Sequence, residues 1–166
     1  MNEVAFAGPT GSNMLKPLRI GVTGHRVLAD LELVRAGIDQ SLSRIEECHP
    51  GRPLVVVSSH AEGTDRLVTE IVLKRPGSRL EAVLPEGNCE EAYAAANDRL
   101  LEKIDVLVAV WDGREAQGRG GTAEVVARAR ACHLPLAWVH AGNRKPGTVE
   151  STTLGPEQGR VTFENL

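Results

Sequence analysis

Short apolar runs alternate with segments whose apolar residues recur at helical spacing, and this alternation restricts the fold more than any other feature of the sequence. Each run is nearly continuous, which is typical of a strand buried on both faces of a parallel sheet. The predicted strands cover residues 18–23, 54–57, 80–84, 106–111 and 134–139. Strands that alternate with helices indicate a parallel sheet with helices on both faces. We therefore predict an α/β protein with a three-layer α/β/α, Rossmann-like fold and a parallel sheet of about five strands.

The regular pattern covers most of the 166 residues, a length that suits one domain. Residues 1–16 are rich in Gly, Asn, Ser and Pro and show no period, so we interpret them as a flexible N-terminal arm. Residues 17–141 form the predicted domain. Residues 142–166 lose the period and are interpreted as a C-terminal tail, in which residues 160–163 could add a short edge strand.

Composition and charge argue against several classes of protein. The net charge of -3 and the small number of aromatic residues (two Trp, one Tyr and two Phe) argue against a nucleic-acid partner. The sequence has no apolar run of the ~20 residues that a bilayer span needs and no secretory h-region, so we expect a cytoplasmic protein with no membrane partner.

The cysteines and histidines do not indicate a metal site. Cys48, Cys89 and Cys132 are far apart and form no CxxC pair, so we expect them to be small buried side chains within helices. Because no His, Cys or Asp cluster has ligand spacing, the predicted chemistry requires neither a metal nor another cofactor.

The first candidate segment follows the first predicted strand, where Gly24, His25 and Arg26 stand in sequence. In a parallel α/β sheet, ligands bind outside the carboxyl ends of the strands. Glycine permits a tight turn, and an arginine can fork to a phosphate or a carboxylate. The histidine could donate a proton or contact an anion. The alternative is that the two side chains only cap neighbouring helices or bond to carbonyl groups.

The second candidate segment follows the second predicted strand and precedes a helix. Small hydroxyl groups and a glycine at a helix start suit a phosphate, because the first backbone N–H groups of a helix are unpaired. An acid in the first helical turn could contact a ligand, or it could simply cap the helix. The candidate ligand-binding residues here are Ser58, Ser59, Glu62, Gly63 and Asp65.

The third candidate segment follows the fourth predicted strand, which ends in Trp111 and Asp112. A carboxylate at a strand end suits a ribose hydroxyl, and the tryptophan belongs either to the ligand site or to the core. A glycine-rich loop and a helix start follow, as in phosphate-binding turns. Their candidate residues are Gly118, Gly120, Gly121, Thr122 and Glu124.

Taken together, these segments resemble motifs of the SLOG superfamily, which is named for the Smf/DprA and Lonely Guy proteins. Residues 21–26 resemble its first-strand signature, residues 61–67 are similar to its AxGxD helix start, and Asp112 with residues 118–124 resembles its glycine-rich loop. The resemblance implies a Rossmann-like domain that binds a small nucleotide or nucleotide-derived molecule. Lonely Guy enzymes carry their acid three residues after the loop threonine, whereas Glu124 stands two residues after Thr122.

The resemblance also implies a choice of activities. The first is hydrolysis of the N-glycosidic bond of a nucleoside monophosphate, with Glu124, Asp112 and Arg26 as the catalytic residues. The second is a non-catalytic sensor of nucleotide derivatives or a carrier of a pterin nucleotide. A third, weaker alternative is a nucleoside deoxyribosyltransferase-like enzyme. A homodimer is compatible with the apolar helix faces.

Overall fold

The computed structural model describes residues 15–116 and 118–166, so the predicted arm lies almost wholly outside the described residues. The helices are α1 (Leu31–Cys48), α2 (Thr64–Leu73), α3 (Glu90–Lys103) and α4 (Thr122–Ala131), with a short 3₁₀ turn at Gly155–Glu157. The strands are β1 (Leu18–Gly24), β2 (Leu54–Ser58), β3 (Arg79–Ala82), β4 (Val106–Trp111), β5 (Leu136–His140) and β6 (Val161–Glu164).

The strands form one mostly parallel sheet in the order β3-β2-β1-β4-β5-β6. The first five strands pair in parallel. The five predicted parallel strands are present. β6 pairs antiparallel to β5 as a sixth strand near the possible edge strand at residues 160–163, so the described sheet is mixed rather than wholly parallel. The reason is the connection: residues 141–160 contain no crossover helix, and a chain that returns without a crossover runs antiparallel to the strand it left.

The sheet separates two apolar cores, which gives the α/β/α layering. α1 and α2 cover one face, where Val106, Val108 and Val110 of β4 lie in the core. α3 and α4 cover the other face, onto which Leu107 and Ala109 point. Every residue of β4 is buried, because side chains alternate between two covered faces. This burial explains why the sequence shows continuous apolar runs.

The strand order reverses between β1 and β4. The chain winds from β1 outward to β3 and then returns to β4 on the other side of β1. Loops that leave the two adjacent strands diverge to opposite sides, so a crevice opens between them at their carboxyl ends. β1 can end close to its neighbours because Gly24 has no Cβ; an added Cβ would overlap Thr64 and the carbonyl oxygen of Val110.

Residues 142–166 fold back onto the domain through Gln158, a residue that is 5% exposed. Its amide oxygen accepts hydrogen bonds from the backbone N–H groups of Gly142 and Leu154, each 3.0 Å away. Its amide nitrogen donates to the carbonyl oxygen of Ala29 at 2.9 Å. One side chain therefore links both ends of the 142–154 segment to the loop before α1.

The expectation that the cysteines are buried is wrong. Cys48, Cys89 and Cys132 are all exposed. Cys48 is the last residue of α1, Cys89 precedes α3 and Cys132 follows α4, so each lies at a helix end, beyond the apolar stripe that faces the sheet. Across the described ranges, no helix is both long and apolar enough to cross a membrane.

Candidate functional site

A cleft of about 560 Å³ opens at the carboxyl ends of β1 and β4, where the strand order reverses. Four segments form its wall: the loop after β1, the loop after β4, the start of α4 and part of the 142–154 segment. Its side chains and backbone come from Gly24, His25, Arg26, Val27, Trp111, Asp112, Arg114, Glu115, Ala116, Gly121, Thr122, Ala123, Asn143, Arg144, Pro146 and Gly147. The structure thus brings the predicted first and third segments together.

The start of α4 presents free backbone donors to this cleft. Gly121 takes an extended backbone conformation (φ −84°) before the helix, and no side chain in the described residues caps it. The N–H groups of Thr122 and Ala123 belong to the first helical turn, which has no partners within the helix. Together with the helix dipole they favour an anion at this point.

Three arginines add positive charge around the cleft. The Arg26 guanidinium lies over the ring of Tyr93, 5.9 Å from its centroid. Arg114 is 76% exposed, and its Nε lies 3.8 Å from Oδ2 of Asp112. Arg144 lines the cleft from the 142–154 segment, where its backbone forms an isolated bridge with Ser151. Two acids, Asp112 and Glu115, also line the cleft, so three arginines against two acids leave the wall with a small excess of positive charge, whereas the whole chain carries a net charge of -3.

His25 and Asp112 form the buried polar floor of the cleft, with side chains 9% and 6% exposed. The backbone N–H of Asp112 donates to Nε2 of His25 at 3.1 Å, and Oδ1 of Asp112 lies 3.4 Å from the same nitrogen. Burial lowers the pKa of His25 below its usual 6.5, and the attraction of the Asp112 carboxylate opposes this only in part. Because Nε2 accepts a hydrogen bond, the neutral ring carries its proton on Nδ1. His25 therefore positions the start of the loop after β4.

Trp111 provides the apolar part of the wall. It is 7% exposed and packs against Trp138, with ring centroids 5.4 Å apart. The indole N–H of Trp138 donates to the carbonyl oxygen of Trp111 at 2.9 Å. Trp111 therefore belongs to the core and also lines the cleft.

The second predicted segment does not line the cleft. Oδ2 of Asp65 accepts hydrogen bonds from the hydroxyls of Ser58 and Ser59, each at 2.8 Å, and from the N–H of Ala61 at 3.3 Å. The first N–H of α2, that of Thr64, donates to the carbonyl oxygen of His25 at 3.1 Å. The polar groups that were predicted to hold phosphate here are used to join α2 to the sheet.

Glu62 and Gly63 also have local roles. Glu62 is exposed and lies 3.8 Å from Arg66. Gly63 has φ +75°, and an added Cβ would overlap the backbone of Arg26. Glycine at this position therefore allows the loops after β1 and β2 to touch.

The glycine-rich loop is held by Glu124. One carboxylate oxygen of Glu124 accepts the N–H of Gly120 at 2.6 Å, and the carbonyl oxygen of Gly120 accepts from the Asn97 amide at 2.9 Å. Gly118 and Gly120 both have positive φ, at +155° and +79°. Glu124, Gly118 and Gly120 do not lie in the wall of the cleft, whereas Gly121 and Thr122 do.

The sequence interpretation missed several residues of the wall. Arg114 stands two residues after Asp112, a position that could have indicated a cation beside the carboxylate. Asn143, Arg144, Pro146 and Gly147 belong to a segment without periodicity, so no pattern indicated that it returns to the strand ends.

No protein-family model matches the sequence, and no curated protein does. Thirteen chains of solved structures match the fold. One is the crystal structure of a UDP-N-acetylglucosamine 2-epimerase, with a TM-score of 0.40, 17% identity, and coverage of 86% of this chain and 37% of the epimerase chain. The chain thus spans little more than a third of the epimerase, and a likeness of this size carries no argument about ligand or activity.

Proposed function

We propose that this protein binds a small, phosphate-bearing nucleotide derivative in the cleft between β1 and β4. The observation that carries the proposal is the lining of the cleft: the uncapped start of α4 and three arginines line the same cleft as the buried carboxylate of Asp112. The volume of about 560 Å³ lies within the range of small-molecule sites. The resemblance of the motifs to the SLOG superfamily supports the same class of ligand.

Each part of the wall suits one part of such a ligand. The phosphate would accept hydrogen bonds from the first turn of α4, and Arg26, in the loop after β1, lines the same cleft and would add a charged contact. The Asp112 carboxylate would accept hydrogen bonds from ribose hydroxyls. The indole of Trp111 would contact the apolar face of the ribose or the base.

The contacts of Glu124 favour binding without cleavage. A general base must be within hydrogen-bond reach of the proton that it removes. The Glu124 carboxylate instead bonds to the N–H of Gly120, outside the cleft wall. A sensor or a carrier needs no catalytic acid, so this arrangement suits it.

Cleavage of an N-glycosidic bond is the second candidate, because two acidic residues, Asp112 and Glu115, line the cleft, and the side chain of Asp112 is buried. Asp112 is 6% exposed and stands beside His25, so its negative charge would stabilise a positively charged sugar carbon. In this mechanism Asp112, rather than Glu124, would stabilise the positive charge that develops on the sugar.

The test is a thermal-shift screen with nucleoside monophosphates, diphosphates, cyclic nucleotides and pterin nucleotides, with chromatography of each mixture after incubation. A ligand at 100 times its Kd stabilises the fold by roughly 2.7 kcal/mol. A shift with the ligand recovered intact supports a sensor or a carrier. A shift with released base supports the hydrolase. If none of these compounds shifts the transition, the proposal is wrong.

A further inference from the structure

A second cavity of about 260 Å³ adjoins the cleft. The two share the wall formed by Asp112, Arg114, Asn143, Arg144 and Pro146. The rest of the second cavity is lined by the 142–154 segment, through Gly142, Lys145, Thr152, Thr153 and Leu154. A ligand that occupies the cleft can therefore continue past the shared wall without leaving the protein surface.

Positive charge is concentrated at the junction of the two cavities. Arg114 and Arg144 both belong to the shared wall, and the single acid there, Asp112, is already close to Arg114 at 3.8 Å. Beyond the junction the charge is balanced, because Nζ of Lys145 lies 2.7 Å from Glu150. An anionic group thus fits the junction, and a neutral polar group fits the second cavity.

The lining of the second cavity suits hydroxyl groups. The hydroxyl of Thr152 already donates to the carbonyl oxygen of Asn143 at 2.6 Å, and the hydroxyl oxygen of Thr153 accepts the N–H of Gly155 at 3.2 Å. Thr153 therefore keeps its own O–H as a donor, while Leu154 adds an apolar surface. The Thr153 hydroxyl as a donor, the Thr152 hydroxyl oxygen as an acceptor and one apolar side chain match the mixed surface of a sugar ring.

We infer that the ligand is a nucleoside diphosphate whose outer phosphate carries a sugar-sized polar group, an inference that rests on the proposed function. The inner phosphate lies at the start of α4, the outer phosphate lies between Arg114 and Arg144, and the terminal group lies in the second cavity. A nucleoside monophosphate fills the cleft alone and leaves the two junction arginines without an anion.

The experiment measures Kd by calorimetry for three compounds of each nucleoside. These are the monophosphate, the diphosphate, and the diphosphate with glucose attached to its outer phosphate. We expect at least a tenfold gain in affinity from the second phosphate, and a further gain from the sugar. Thr153→Phe places a large side chain in the second cavity and should weaken the sugar-bearing compound tenfold or more, without changing Kd for the monophosphate. Unchanged binding of the monophosphate also shows that the variant is folded.

Val149→Phe is the matched control, because Val149 is 82% exposed in the same segment and lines neither cavity. It should leave every Kd unchanged. If monophosphates bind as tightly as the extended compounds, or if both phenylalanine variants behave alike, the two-part ligand is wrong while the proposed function stands. If no member of the series binds, the proposed function fails and this inference fails with it.

Discussion

A side chain at Gly121 would enter the cleft without touching the protein. An added Cβ meets no heavy atom of the described residues within 4 Å, and the φ of −84° suits any residue. We expect Gly121→Ala to cost no more than about 1 kcal/mol of folding free energy, since alanine is a poorer cap than glycine. The affinity for a nucleotide should fall at least tenfold, because the methyl group takes the place of the phosphate. Calorimetry and thermal denaturation check the two effects.

Gly63→Ala is the contrasting variant for this prediction. Its Cβ would overlap the backbone of Arg26, and its φ is +75°, so it should lower the melting temperature far more than Gly121→Ala does. If Gly121→Ala binds nucleotides normally, the phosphate does not lie at the start of α4.

Glu124 distinguishes a role in holding the loop from a role in catalysis. The amide oxygen of Glu124→Gln can still accept the N–H of Gly120, whereas Glu124→Ala leaves that donor without its partner. We expect the glutamine variant to bind nucleotides within about twofold of the wild-type affinity, and the alanine variant to bind at least fivefold more weakly and to lose about 1 kcal/mol of stability. If the glutamine variant abolishes a measured release of base while binding persists, Glu124 is catalytic instead.

His25 makes stability depend on pH. Its folded-state pKa is lowered from 6.5, so between the two pKa values the unfolded chain binds more protons than the folded one. The free energy of unfolding should therefore be highest above about pH 6.5 and fall as the pH drops toward the folded-state pKa of His25. Denaturant titrations between pH 5 and 8 measure this slope.

His25→Gln is the comparison, because glutamine can accept a hydrogen bond and does not titrate. The pKa of His140 is also lowered, by burial and then by Arg160, so both proteins keep part of the slope. The contribution of His25 is the difference between the two curves. Parallel curves would show that folding does not lower the pKa of His25.

At the scale of elements, Asp65 fastens α2 to β2. Its carboxylate is 5% exposed and accepts three hydrogen bonds, two of them from the hydroxyls of Ser58 and Ser59. Asp65→Ala should lower the free energy of unfolding by about 2 kcal/mol, since buried donors lose their acceptor. Chemical denaturation checks this. Glu62→Ala, which removes an exposed carboxylate in the same loop, should change stability by less than about 0.5 kcal/mol. Equal effects would show that the Asp65 network is not stabilising.

The elements themselves follow from local chemistry, and this is why the sequence predicted them. β4 was predicted as residues 106–111 and has those bounds, because a strand buried on both faces must be apolar throughout. The partners of polar side chains do not follow from local chemistry. Whether Asp65 faces a ligand or two serines, and whether Glu124 faces a ligand or Gly120, depends on which loops meet. The sequence predicts that such a residue lies at the edge of the sheet where the strands end, but it does not predict which group the side chain contacts.

At the scale of the whole molecule, the cleft depends on a segment without periodicity. The sequence predicted that β1 and β4 deliver their ends to one edge, which follows from parallel winding. It did not predict that residues 143–147 complete the wall, because their position is set by distant contacts through Gln158 rather than by a repeating pattern. The chain then continues into β6, which pairs antiparallel to β5.

Gln158 therefore links folding and binding. Gln158→Ala removes the acceptor of Gly142 and Leu154 and the donor to Ala29, all at or near 3 Å. Because Gln158 is buried, we expect the free energy of unfolding to fall by about 2–3 kcal/mol, which is typical when buried backbone groups lose their partners. Hydrogen exchange should become faster in residues 142–154 and near Ala29, while the β1–β4 core keeps its protection. Nucleotide affinity should fall too, since Arg144 is no longer held at the wall.

Gln40→Ala is the matched control, because Gln40 is an exposed residue on α1 and alanine favours a helix. It should leave stability, exchange and affinity unchanged. The informative result is which residues exchange faster, rather than how much stability the Gln158→Ala variant loses. If Gln158→Ala lowers protection evenly across the sheet, the tail belongs to the global folding unit and does not act on the cleft separately. If exchange rises only in the segment and affinity falls with it, the tail forms one wall of the ligand site.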